Sequence, residues 1–209
     1  MTEKDYLRSH STPASEALLW LERQTHLRTN HARMLSGREQ GSLLALISRL
    51  ARPANILELG VFTGYSTICL AEGLAEGGTI HAVEINDELE DLILEGYRKA
   101  GIEDRVQLHF GDARAIIPTL DCSFDLVYID ANKREYTEYY RLVFDKVAPG
   151  GLILADNVLW GGKVYAPEAP DDAHTRAVMD FNRMVANNPD VDNVLIPSRD
   201  GLMLIRKLR

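Results

Sequence analysis

Over the first fifty residues the apolar positions recur at helical spacing. Ala17, Leu18, Leu21 and Leu27 lie in a stretch, residues 14–30, that reads as an amphipathic helix. A second helix is predicted over 38–50, ending before Pro53, because a proline ring cannot continue a helix. The pattern then changes character. Short runs rich in Ile, Leu and Val at 55–59, 79–84, 106–110, 124–130 and 151–156 alternate with stretches of helical pattern. That alternation predicts right-handed βαβ crossovers and a mainly parallel sheet with helices on both faces. Residues 193–197 and 202–206 flank Ser198-Arg-Asp-Gly201, and the Asp200-Gly201 pair marks the turn of a C-terminal antiparallel hairpin. The organisation expected is one domain over 1–209, with a helical extension over 1–52 and an α/β core over 53–209.

Composition narrows this little. The chain has 209 residues, 45% hydrophobic and 26% charged, which is ordinary for a soluble globular protein. The first residues lack the basic-then-apolar pattern of a signal peptide, and no apolar run nears the roughly 18 residues of a membrane span. With two cysteines, Cys69 and Cys122, reduced thiols in a cytoplasmic protein are expected. The formal charge of −8 argues against a general nucleic-acid binder.

The chemistry is expected at the carboxyl ends of the strands, where open α/β sheets bind ligands. Acids stand there in succession: Glu58, Glu84, Asp112, Asp130 and Asp156. One such acid is as readily a helix cap as a ligand, but several on one rim repel each other unless cations or hydroxyl-rich ligands bind among them. The first strand leads into Glu58-Leu-Gly60-Val-Phe-Thr-Gly64-Tyr-Ser66. Its glycines permit a tight turn at a helix N-terminus, yet the spacing is not that of a dinucleotide fold, and the preceding acid disfavours phosphate. Glu84 is placed to accept from ribose hydroxyls, and Asp112 with Ala113 lies where an adenine edge would fall. Ribose, adenine and positive charge without phosphate point to S-adenosylmethionine. Asp130, Asp156 and Asn157 form a second group. Adjacent parallel strands would gather their oxygens into a site for Mg²⁺, foremost, or for Mn²⁺ or Ca²⁺. The plainer alternative makes the two aspartates caps and Asn157 the start of a turn.

These residues resemble the cation-dependent class I O-methyltransferases, the family of the caffeoyl-CoA and catechol enzymes, most closely the compact bacterial type. The resemblance runs from Met34 to Lys207 and is strongest at residues 58–66, Tyr128-Ile-Asp-Ala-Asn-Lys133 and Ala155-Asp-Asn-Val-Leu-Trp-Gly-Gly162. It implies a seven-stranded Rossmann-like sheet and a homodimer. It places Glu58, Gly60, Val61 and Ser66 around the methionine part of the donor, with Met34 and Ser36 approaching from the helical extension. Glu84 matches the ribose-binding acid, Ala113 the adenine contact, and Tyr139 a further donor contact beside Asp130. Asp130, Asp156 and Asn157 match the metal ligands, and Lys133 the proposed base. Asn132 stands where many plant members carry an acid. The resemblance thus implies metal-dependent methylation of a hydroxyl on a small catechol-type acceptor.

Acceptor recognition is left open by the residues. The loop 158–170, rich in glycine and proline, carries Trp160, which either covers an aromatic ring or packs under the loop. Arg33, Arg38 and Lys163 either meet an acidic tail on the acceptor or are solvated charges. Three other functions compete: methylation of hydroxylated uridine in transfer RNA, a catalytically silent module binding an adenosyl ligand, and a nicotinamide oxidoreductase. Net acidity disfavours the first, an intact Lys133 and metal set the second, and the missing dinucleotide fingerprint the third.

Overall fold

The structure is a computed structural model, described here for residues 1–167 and 172–209. Its helices are α1 (Glu3–Ser9), α2 (Glu16–Arg28), α3 (Gly37–Ala51), α4 (Tyr65–Ala71), α5 (Glu90–Ala100), α6 (Ala113–Ile116), α7 (Tyr136–Phe144) and α8 (Ala173–Ala186). The strands are β1 (Asn55–Leu59), β2 (Thr79–Glu84), β3 (Val106–Phe110), β4 (Phe124–Ile129), β5 (Val147–Asp156), β6 (Val191–Ile196) and β7 (Leu202–Lys207). They form one seven-stranded sheet in the order β3-β2-β1-β4-β5-β7-β6. Strands β1 to β5 pair in parallel, and β7 runs antiparallel between β5 and β6. The chain order reverses between β1 and β4, so the carboxyl ends of these two strands flank the crevice expected at a topological switch point. Among the described residues no helix is long and apolar enough to cross a membrane.

Alternating side chains of the central strands feed two cores. Ile56, Ile80, Leu126 and Leu154 pack with α2 to α5, while Leu57, Leu59, Val127, Ile129 and Ile153 pack with α7 and α8. Near-continuous apolar strands are what burial on both faces requires.

Three local expectations need correction. The buried stripe of α2 is Leu18, Leu21 and Thr25, whereas Leu27 is 69% exposed because its position turns away from that face. Thr25 instead bonds Thr63 at 2.9 Å, tying α2 to the glycine turn. Strand β5 begins at Val147 rather than at 151, carrying Pro149-Gly150 through a register shift opposite Phe124 and Leu126. Helix α1 has no counterpart in the sequence reading, and it starts at a capping box between Thr2 and Asp5.

Candidate active site

A cavity of about 960 Å³ opens at the carboxyl ends of β1 to β5. Its lining includes Met34, Ser36, Gly60, Val61, Ser66, Glu84, Asp112, Ala113, Asp130, Lys133, Tyr139, Asp156, Asn157 and Trp160. The fold therefore gathers onto one surface expected site residues up to 126 positions apart in the chain, from Met34 to Trp160. Of the site residues expected from the sequence, Glu58 alone is absent from that surface.

Glu58 lies one residue before the end of β1 and is fully buried on the α4 face. Its two oxygens accept from Ser66 Oγ and Thr67 Oγ1, each at 2.5 Å, at the first turn of α4. Burial pushes its carboxyl up to about 8, against the pull of these hydroxyls and with help from the charges of Asp130 and Glu84. It is thus a brace beneath the cavity floor, not part of the rim of acids. The glycine turn above it is sterically specified. Gly60 sits at φ +90°, and a Cβ there would stand 2.2 Å from the backbone oxygen of Asp130. Only glycine allows β1 and β4 to end this close together.

Glu84 closes the same turn from β2. Its Oε2 accepts from the amides of Val61 (3.0 Å) and Phe62 (2.7 Å), and its Oε1 from those of Ile85 and Asn86, both at 2.9 Å. Four amides thus orient the carboxylate in the cavity wall, and ribose hydroxyls would share its oxygens with them. Asp112 has two roles. It lines the cavity, and it caps α6 while pairing with Arg114 at 2.6 Å, the guanidinium holding its carboxyl below the usual range. Ala113 follows it, buried, as the first residue of α6. Tyr139, on α7, donates to Glu135 at 2.5 Å.

At the ends of β4 and β5 the second group assembles. Ile129 pairs with Ala155, so the following residues, Asp130 and Asp156, stand side by side. Asp156 is buried, and burial followed by the charge of Asp130 raises its carboxyl to about 6. Its Oδ2 accepts from Tyr128 at 3.0 Å and its Oδ1 from the Asn157 amide at 2.8 Å. Neither aspartate caps a helix, so the plainer alternative fails for both. Asn157 holds a left-handed φ of +57°, uncommon away from glycine, and its side-chain amide has no hydrogen-bond partner among the described residues. Lys133, 9% exposed, places Nζ 2.6 Å from Asp130 Oδ1 and 2.7 Å from the Tyr136 hydroxyl. Tyr136 is fixed in turn by the carbonyls of Ile129 (3.1 Å) and Asp156 (3.0 Å). Sequence reading missed this tyrosine, although its spacing of three from Lys133 was there to be read. Asn132 caps the turn that carries Lys133, its Oδ1 accepting from Arg134 N at 3.2 Å.

The donors fit a hard divalent cation. Two convergent carboxylates and the amide carbonyl of Asn157 offer hard oxygen donors, while burial, followed by the charge of Asp130, raises the Asp156 carboxyl. Among the described residues no group of three His, Cys, Asp or Glu side chains forms a cluster able to hold a metal ion.

Elsewhere on the lining, Met34 is 58% exposed on a short turn, and Ser36 is buried ahead of α3. Trp160 lies at φ +49°, its ring stacked on His174 and its buried Nε1 without a partner among the described residues. Arg33 lines the cavity, whereas Arg38 donates to the carbonyls of Ser11 and Thr12 and Lys163 lies 5.9 Å over the Trp160 ring. Residues 168–170 of the loop lie outside the described residues.

A family model for O-methyltransferases matches residues 8–208. The chain belongs to the O-methyltransferase family. Among curated members of the family, the caffeoyl-CoA O-methyltransferase of Eucalyptus gunnii is 35% identical over 186 residues, spanning 84% of this chain and 75% of that one. Among solved structures, the O-methyltransferase TomG of Streptomyces achromogenes, in complex with S-adenosylmethionine, superposes with a TM-score of 0.91 at 31% identity, covering 100% of both chains. The SAH-bound methyltransferase PaMTH1 of Podospora anserina gives 0.89 at 30% identity, covering 99% of this chain and 94% of its own. The family membership and these structures make the protein an S-adenosylmethionine-dependent O-methyltransferase with a Rossmann-like fold.

Proposed function

We propose that this O-methyltransferase depends on a divalent metal, Mg²⁺ foremost, and methylates a hydroxyl of a small catechol-type acceptor. One observation carries the reading: Asp130, Asp156, Asn157 and Lys133 converge in the cavity that also presents Gly60, Ser66 and Glu84. Asp130, Asp156 and Asn157 would hold the metal, which when bound favours a phenolate over a phenol and fixes two vicinal oxygens. The donor supplies an electrophilic methyl group for in-line attack by the acceptor oxygen.

The chain's own residues do the rest. The brace of Glu58, Ser66 and Thr67 and the amide clamp on Glu84 hold the floor on which the donor lies. Lys133 is the group that would take the hydroxyl proton at Nζ, whose position Asp130 and Tyr136 set. Trp160 supplies an aromatic face to the cavity beside Asn157. A homodimer accords with the exposed leucines 19, 27, 46 and 50 on α2 and α3.

The test is transfer of labelled methyl to unsubstituted catechol and, in parallel, to bulk transfer RNA. Labelled catechol is expected. Label in RNA alone would move the acceptor assignment to hydroxylated uridine while leaving the reaction class intact.

A further inference from the structure

Outside the cavity, the edge of the sheet carries a histidine pair that the reaction does not use. His81 on β2 and His109 on β3 each stand three residues before a position expected at the donor, Glu84 and Asp112. Register pairs His81 with Gln107 and Val83 with His109, so the two histidines are diagonal neighbours across the strands. They lie on the face that Leu57 and Val83 present to the second core. Strand β3 is an edge strand with no buried residue, so a side-chain link weighs more there than at the centre of the sheet.

His81 Nδ1 lies 3.2 Å from His109 Nε2, with the rings 9° from parallel and their centroids 5.5 Å apart. The contact is nitrogen to nitrogen, and one shared proton makes it. On the other side of its ring, His81 Nε2 faces Cys122 Sγ at 3.7 Å. The pattern that satisfies all three groups has both rings neutral: the thiol donates to His81 Nε2, and His81 Nδ1–H donates to His109 Nε2. Acid undoes this chain in two steps. One added proton makes His81 Nε2 a donor aimed at the thiol, which is a weak acceptor. A second leaves an N–H on each facing nitrogen and sets two cations in contact.

The surroundings do not offset that charge. Among the described residues neither ring has a carboxylate partner. Burial holds both imidazoles below the usual histidine value, and the charge of His109 lowers His81 further. Leu57 flanks His81 on β1, and the Phe124 ring of β4 meets it edge-on at 5.8 Å. From α6, which packs against β2, Arg114 is paired with Asp112. Beyond Cys122, Asp121 and Lys146 act on the thiol with opposite signs.

We infer that the His81–His109 pair is a proton-operated latch on the donor site. Neutral, it holds the ends of β2 and β3 at the spacing that binds the adenosyl part of the donor; charged, it releases them. The inference rests on the placement of the donor between Glu84 and Ala113. Linkage fixes the sign. With both histidines below the ordinary 6.5, the closed form binds fewer protons than an open one. The latch is therefore full above about pH 6.5 and is lost as pH falls below it.

The experiment is calorimetric binding of SAH near pH 7.5 and near pH 5.5, on the order of one unit either side of the histidine value, to wild type and His109→Gln. Glutamine accepts a hydrogen bond from His81 and does not titrate, and Tm checks that the variant is folded. The affinities should match at the higher pH, and at the lower pH the wild type should weaken about 3- to 10-fold more than the variant. Glu58 and Asp156 titrate in both proteins and cancel in the comparison. Magnetic resonance of the ring nitrogens gives a second reading, in which the two histidines titrate together and below the ordinary value. The same pH dependence of SAH affinity in both proteins, or histidines that titrate independently at the ordinary value, overturns the latch. Neither metal nor acceptor enters the measurement, so its failure leaves the proposed reaction untouched, and failure of that reaction leaves the latch standing.

Discussion

Glu84 and Glu58 on the donor side are each fully engaged, one by four backbone amides and the other by two hydroxyls, whereas the indole nitrogen of Trp160 on the acceptor side is buried without a partner among the described residues. The donor side is made of strand ends and the first turn of a helix, with Gly60 packed against Asp130 so closely that no side chain fits. The acceptor side is made of short turns and holds Asn157 and Trp160 in left-handed backbone, a conformation that Phe62 in the donor turn shares. The contrast is that of a surface preorganised by bonds at strand ends for one constant ligand and a wall of short turns facing a variable one. Between them, at the seam of β4 and β5, stand Asp130, Asp156 and Lys133.

Breaking the seam should have the largest effect. Lys133→Met is expected to lower the methyl-transfer rate by about 10²- to 10⁴-fold while calorimetry finds donor affinity unchanged. A rate equal to wild type would remove Lys133 as the base. Next comes the donor floor. Gly60→Ala must displace the end of β4, and the expected loss of stability in urea unfolding is about 3 kcal/mol or more, with donor binding lost as well. Wild-type stability would mean that the two strand ends are not packed as described.

A smaller effect sharpens the role of Glu58. Its folded carboxyl is raised from 4.5 to about 8, so between these values the folded state binds more protons than the unfolded state. Stability contributed at this group is then full below about pH 4.5 and is lost as pH rises towards 8, at about 1.4 kcal/mol per pH unit at most. Glu58→Gln should remove that part of the slope, and urea unfolding across the window that finds the same slope in both proteins would contradict the brace. The smallest effect belongs to the acceptor wall. Trp160→Phe should raise the acceptor KM by about 2- to 10-fold and leave donor affinity alone. A change in Tm with no change in KM would make Trp160 a packing residue.

The same contrast explains what could be read in advance. The strands, the C-terminal hairpin and the donor-side motifs were legible because they are local patterns: apolar runs of the right length, glycines at a turn, acids at strand ends. Glu58 belonged to that pattern, yet its side chain points to α4, where Ser66 and Thr67 wait, and strand alternation decides that only once the sheet exists. The start of β5 was hidden by Pro149-Gly150-Gly151, which reads as a break but is accommodated at a register shift. Arg33, by contrast, was singled out and does line the cavity, while its companions Arg38 and Lys163 are engaged elsewhere.

The central claim is that Asp130, Asp156 and Asn157 make the reaction metal-dependent, and one measurement addresses it directly. Transfer of labelled methyl to a small catechol panel would be followed in wild type with EDTA, then after Mg²⁺ add-back, with Asp156→Asn run alongside. The account predicts that EDTA abolishes product, that Mg²⁺ restores it, and that Asp156→Asn stays inactive at Mg²⁺ concentrations saturating the wild type. Undiminished product in EDTA would contradict it, and would leave Lys133 to act on the acceptor without a cation.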